Sequence, residues 1–186
     1  MRLHRNLVFA VIDGLIEIFN EGGYADKVIA KQLKRDKRWG SRDRSFIAET
    51  TYDIVRWKRL YAEIAEVKEP FSRENAFRLF AVWATLRGIA LPDWKQIEET
   101  PTRRIKGRFD ALSKIRKFRE SIPDWLDELG VAELGEDIWE KEIGALNKQA
   151  PVIIRVNTLK TDIQTLQQKL KDEGFETINL KDYPYA

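Results

Sequence analysis

The sequence predicts a mostly α-helical fold, a helical bundle followed by a small β-α-β segment. Two observations carry this. Apolar residues recur at helical spacing through most of residues 1–149, with Gly and Pro punctuating the joints. After Pro151 the pattern changes to two short β-branched runs on either side of one helical stretch. The 186 residues are 43% hydrophobic and include 6 Trp, 5 Tyr and 9 Phe, enough apolar surface for a sizeable core, so a disordered chain is excluded.

The elements follow in order. Leu3, Leu7, Val8, Val11, Ile12, Leu15, Ile16 and Phe19 make one helical stripe that Gly22 and Gly23 stop. A shorter helix carries Tyr24, Val28, Ile29 and Leu33. Ser41 then offers an N-cap for one long helix with the stripe Phe46, Ile47, Thr50, Ile54, Trp57, Tyr61 and Ile64, ended by Pro70. Ser72 can cap the next, whose aromatics Phe77, Phe80 and Trp83 belong to the core. Gly88, Pro92, Thr100 and Pro101 mark a looser stretch. Two more helical segments run from about 123 to 134 and 136 to 148, around Trp125, Leu126, Leu129, Ile138 and Trp139. These give a bundle of six or seven helices. VIIRVN then reads as a strand, Thr161 with Gln164 as a capping box, Ile163, Leu166 and Leu170 as a helix stopped by Gly174, and FETINL as a second strand. Two strands and one helix cannot bury both faces of a sheet, so the expected domains are 1–149, a helical bundle, and 150–186, the beginning of an incomplete α/β domain.

Composition excludes several kinds of chemistry. With no cysteine there is no disulfide, no thiolate nucleophile and no cysteine metal site, a usage that suits the cytoplasm. The apolar N-terminal run is interrupted by Asp13 and Glu17 and lacks a small-residue cleavage site, so it reads as a helix and not as a signal peptide. No stretch approaches a membrane span. G-x-G-x-x-G and G-x-x-x-x-G-K are absent, the single histidine His4 has no second histidine to share a metal, and neighbouring carboxylates such as Glu98-Glu99 and Asp127-Glu128 diverge on a helix and read as solvated faces.

Net charge is only +3, so distribution matters more than the total. Residues 31–46, KQLKRDKRWGSRDRSF, hold seven Lys or Arg against Asp36 and Asp43, with Trp39 at the centre. Residues 103–119 carry eight more against Asp110, and 124–142 are acidic with only Lys141 opposing. A basic stretch of this kind reads either as a charged connector between helices or as a surface for a polyanion. The acidic run reads as the solvated face of two helices, or as a surface that meets the basic half of the same molecule.

Three stretches carry a resemblance. SRDRSFIAETTYDIVR, Ser41 to Arg56, resembles the D-R-x-F…L-x-x-G-v-L-R signature of NusB-like helical domains, with Asp53 where that pattern has Gly. SIPDWLDELG at 121–130 and APVIIRVNTLKT at 150–161 resemble the s-x-P-x-W-L and a-P-x-x-l-R-V-N-t-L-K-t segments of the Sun/Fmu-type ribosomal RNA cytosine-C5 methyltransferases. The resemblance implies a NusB-like RNA-binding domain over 1–149 and the start of a pre-catalytic α/β domain. It also implies a parent enzyme that uses S-adenosylmethionine, with ribosomal RNA as partner and a C-terminal methyltransferase domain carrying two catalytic cysteines. Lacking cysteine and a cofactor motif, these 186 residues are expected to hold RNA and not to transfer a methyl group themselves. The alternative is a NusB-like interaction module of transcription antitermination type, without enzymatic role.

Under the first reading the candidate RNA-binding residues are Lys34, Arg35, Lys37, Arg38 and Arg42 as phosphate contacts and Trp39 as a base-stacking ring. A second group is Arg103, Arg104, Lys106 and Arg108, and a third is Arg155 and Asn157, which alternate with Val156 and would share one strand face. Asp43, Arg44 and Arg56 are read as structural.

Overall fold

The computed structural model describes residues 3–181 and 183. The chain divides into two compact units, Met1–Asn147 and Lys148–Ala186.

The first unit is helical throughout. It comprises α1 (Arg5–Asn20), α2 (Ala25–Gln32), α3 (Ser41–Arg56), α4 (Lys58–Ala65), α5 (Arg73–Leu86), α6 (Thr102–Leu112), α7 (Arg116–Arg119), α8 (Asp124–Leu134) and α9 (Glu136–Leu146). Its centre is α1, which packs on α2, α3 and α5, while α4 and α6 lie against each other and against α5. The stripe of α1 is fully sunk, with Val8, Val11, Ile12 and Leu15 meeting Ile47 and Ile54 of α3 and Phe77, Leu79 and Phe80 of α5 in one cluster. Such burial is the main favourable term in folding. Phe9 meets Phe77 edge-on at 5.3 Å between ring centres, and Phe19 meets Phe71 in the same way at 5.3 Å. Asn20, at the end of α1, both donates to Phe71 O (2.7 Å) and accepts from Phe71 N (3.0 Å), fixing the entry to α5. Ser72 caps α5 as expected, accepting from Asn75 N at 3.1 Å.

Four expectations need correction here. The long helix is interrupted at Trp57, whose ψ of 19° turns the chain into α4. No Pro or Gly stands there. Bonds from Trp57 N to Asp53 O and from Tyr61 N to Trp57 O bridge the joint, so it is packing of α4 on α5 and α6 that redirects the helix. The N-cap of α3 is Gly40, one residue earlier than Ser41, and Asp43 accepts from its N–H. Residues 102–119, for which no helix is expected, form α6 and α7. The apolar residues expected inside the last two helices also part company. Trp139 is buried with Ile122 and Ile143, whereas Trp125, Leu129 and Ile138 are exposed.

Among its described residues the second unit holds one helix, α10 (Ile163–Asp172). Its N-cap is Asp162 and not Thr161: the carboxylate accepts from Thr165 N (2.9 Å) and Thr165 Oγ1 (2.7 Å), and these bonds hold Asp162 below the usual carboxylate range. Gly174, at φ +89°, lets the chain leave the helix in the left-handed region, and Phe175 N closes on Leu170 O. The β-α-β expectation is not met, since among the described residues neither VIIRVN nor FETINL forms a strand. The two runs share no backbone hydrogen bond, and a strand exists only through a partner.

Candidate nucleic-acid interface

The basic turn between α2 and α3 is a held structure. Arg44, from the first turn of α3, donates to Leu33 O and Trp39 O, both at 3.0 Å, so its guanidinium staples the two ends of the turn. Lys34 N, Arg35 N and Trp39 N bond Lys31 O, Gln32 O and Asp36 O along it. Trp39 is 8% exposed and belongs to the main core. Its ring face is not open to a base, which corrects the stacking role expected of it.

The turn's cations fall into two groups. Arg35 is tied to Asp13 Oδ2 at 2.6 Å, and Arg73 reaches the other oxygen of the same carboxylate at 2.6 Å. Burial works against the charged form of Asp13, but the two arginines outweigh it and hold the carboxyl below its ordinary range. Arg38 forks onto Asp36, with Nη2 at 2.6 Å from Oδ2 and Nε at 2.9 Å from Oδ1, which brings Asp36 down to about 2. Lys34, Lys37 and Arg42 are exposed and, among the described residues, have no ion-pair partner.

The second basic stretch is divided in the same way. Arg104 and Arg108 of α6 both pair with Glu66, Arg108 at 2.6 Å, and Arg108 also donates to Glu63 O. Arg103 and Lys106 project from the same helix without a partner among the described residues and are exposed. Arg116, Lys117 and Arg119 meet the acidic run: Arg116 binds Asp127 at 2.7 Å and reaches Glu136 at 3.3 Å, Lys117 binds Asp124 at 2.9 Å, and Arg119 binds Glu140. The acidic run is thus the counterion of α7, and Asp127 is not the solvated carboxylate that its sequence suggests. Because α2 packs on α1 and α3 while α6 packs on α4 and α5, the two basic stretches sit on different helix pairs.

In the second unit Val156 is buried while Arg155 and Asn157 are exposed, the alternation expected of them without a strand beneath it. Asn157 Oδ1 accepts from Leu159 N at 3.1 Å, and its carbonyl accepts from Lys160 N and Thr161 N, so the residue builds a turn.

Two features escaped the sequence. Asp53 stands where the NusB-like pattern has Gly, and its Oδ2 accepts from Trp83 Nε1 (2.7 Å) and from Arg87 (2.6 Å), joining α3 to α5. Burial, with the Asp53 charge nearby, pushes the Tyr61 hydroxyl well above its ordinary value. Arg56 and Arg59 are the second feature. Arg56 donates to Glu120 O, Ser121 O and the side chain of Asn147, and Arg59 to Ile122 O and Asp124. Arg56 was expected to be structural, and only its carbonyl partners were hidden from the sequence, whereas Arg59 lies outside the stretch 41–56 and carried no signal.

The class this describes is a helical module with a partly neutralised basic surface. Among the described residues no cluster of metal ligands occurs and no helix is long and apolar enough to cross a membrane. Residues 122–186 match the family model described as Methyltr_RsmF/B-like, ferredoxin-like domain. The resemblance to the Sun/Fmu-type ribosomal RNA methyltransferases is shown for that part of the chain. No curated protein matches. A methyltransferase of this kind implies S-adenosylmethionine, and the residues present do not fit it. A glycine-rich turn from a strand into a helix is needed to cradle such a cofactor, and among the described residues there is no strand, while the positive-φ glycines stand singly at helix ends.

Proposed function

We propose that this chain is the RNA-holding N-terminal part of an S-adenosylmethionine-dependent ribosomal RNA (cytosine-C5) methyltransferase. In this reading 1–149 is a NusB-like domain that contacts RNA, and 150–186 opens an α/β domain whose strands pair only when further strands flank them. Methyl transfer and cofactor binding fall to a domain outside these residues. The observation that carries the reading is the family match over 122–186. The same match speaks against the alternative, a NusB-like antitermination module, which has no use for a methyltransferase-specific segment.

The RNA contacts assigned first are Lys34, Lys37 and Arg42, whose charges meet no carboxylate among the described residues. Arg103 and Lys106 offer a second, separate contact. Arg35, Arg38, Arg104 and Arg108 are demoted, because reaching a phosphate would cost them a carboxylate partner. Lysine and arginine side chains on a turn neutralise phosphates and displace counterions without reading bases, so binding should be tolerant of sequence. Fluorescence anisotropy with a labelled ribosomal RNA fragment tests this. Replacing Lys34, Lys37 and Arg42 together by Ala should weaken binding at least tenfold, while Arg35→Ala and Arg38→Ala together should weaken it less. Equal affinity for the wild type and the folded triple variant would overturn the assignment.

A further inference from the structure

We propose that α8 and α9 form a separately docked hairpin, clamped to the rest of the helical unit by ion pairs and by arginine–carbonyl hydrogen bonds, and released as one body when those bonds are screened. The inference stands independently of the RNA reading.

Four observations converge. The hairpin has its own small apolar cluster, Ile122, Trp139 and Ile143 with Leu126 and Val131 against them, and this cluster is separate from the main core. Inside the hairpin the packing is close: a Cβ added at Gly130 would lie 2.2 Å from the Trp139 ring, and Trp139 Nε1 donates to Asp127 at 2.9 Å. The two helices therefore hold each other.

What ties them to the bundle is polar. Arg56 of α3 and Arg59 of α4 reach the carbonyls of Glu120, Ser121 and Ile122. Arg116, Lys117 and Arg119 of α7 take Asp127, Asp124, Glu136 and Glu140. Asn147 closes the far end on Glu120, donating to its side chain at 2.6 Å.

A hinge is built in at the joint. Ser121 sits at φ +52°, in the left-handed region that a residue with a Cβ adopts at a cost, immediately before the hairpin's first apolar residue. Finally, the methyltransferase-family match also begins at Ile122. The family segment therefore starts where the hairpin starts, 26 residues before Lys148, since 148 − 122 = 26.

The clamp is chemically suited to release. The Arg116 and Asp127 side chains are only 15% and 17% exposed, so their pair is worth more than a surface pair, but most of the others face water and weaken as salt shortens the screening length to about 3 Å near 1 M. The main core, being apolar, does not weaken with them.

Having no native cysteine, the chain accepts two unique spin labels, at Ala90→Cys before α6 and Ala145→Cys on α9, both at exposed positions. The expected result is one narrow distance at low salt and a second, broader population at about 1 M salt, with the far-UV helix signal unchanged. Arg116→Gln should raise the broad population several-fold at a fixed intermediate salt. On the unlabelled chain, amide exchange at 120–122 should speed up with salt while α1, α3 and α5 stay protected. A single distance at every salt, or a broadening that coincides with loss of helix signal, would overturn the proposal.

Discussion

Asp53 and Trp83 show how single residues decide this fold. A carboxylate in the last turn of a helix and facing a core is costly unless its hydrogen bonds are met, and here an indole N–H and a guanidinium meet them. Trp83 is 5% exposed and Trp57 only half-buried, although both lie on stripes of the same helical period. Truncation should separate them: Trp83→Ala should cost about 3 to 5 kcal/mol and Trp57→Ala about 1 to 2 kcal/mol in urea unfolding. Trp83→Phe, which keeps most of the ring but not the N–H, should cost on the order of 1 kcal/mol. Equal losses at 57 and 83 would contradict the burial described. At this scale the sequence was partly legible. Trp83 reads as core from its neighbours Phe77 and Phe80, while nothing local tells that Trp39, set among cations, is inside, or that Asp13, twenty-two residues before Arg35, neutralises it.

At the scale of elements, the α8–α9 hairpin depends on carboxylates that must be charged. Asp127 faces Arg116 and the Trp139 N–H, Asp124 faces Arg59 and Lys117, and Glu120 faces Arg119, Asn147 and Arg56. Hydrogen bonds from Arg116 lower Asp127, those from Arg59 and Lys117 lower Asp124, and in Glu120 burial is outweighed by Arg119 and Asn147. Each folded-state value lies below the unfolded one, so the stabilisation is complete above the ordinary carboxylate range, about pH 4, and is lost as pH falls through the depressed values. Thermal melts between pH 5 and 8 should therefore be flat on account of these groups, with loss setting in only below about pH 4. Gly130→Ala is the matching test of the hairpin interior. Its methyl would meet the Trp139 ring at 2.2 Å, so the variant should lower hairpin protection in hydrogen exchange. The outlines of α1, α5, α8 and α9 were readable because one apolar period runs through each. The break at Trp57 was not, because tertiary packing places it, nor was α7, which has one apolar residue in four; α6 does carry Ile105, Phe109 and Leu112 at i, i+4 and i+7, a short period crowded by the basic residues between them.

For the whole molecule, the two units contribute different features to the function proposed. The helical unit presents cations left over, among the described residues, after most of its arginines have been matched by carboxylates, and the match to the methyltransferase family runs from its last two helices through the second unit. The β-α-β reading of that segment failed in this chain because alternation in a sequence marks a face, whereas a strand also needs a neighbour. Without a cysteine in its 186 residues, the chain incubated with labelled S-adenosylmethionine and ribosomal RNA should transfer no methyl group, and turnover above background would contradict that.

The most direct test of RNA holding is the slope of log affinity against log salt, measured for the wild type and for the Lys34→Ala, Lys37→Ala, Arg42→Ala triple variant. Each phosphate contact contributes about 0.7 to 0.9 to the slope, so removing three should flatten it by about 2 to 3, alike for ribosomal and unrelated single-stranded RNA. An unchanged slope in a variant with wild-type helix content would mean that the turn between α2 and α3 touches no phosphate.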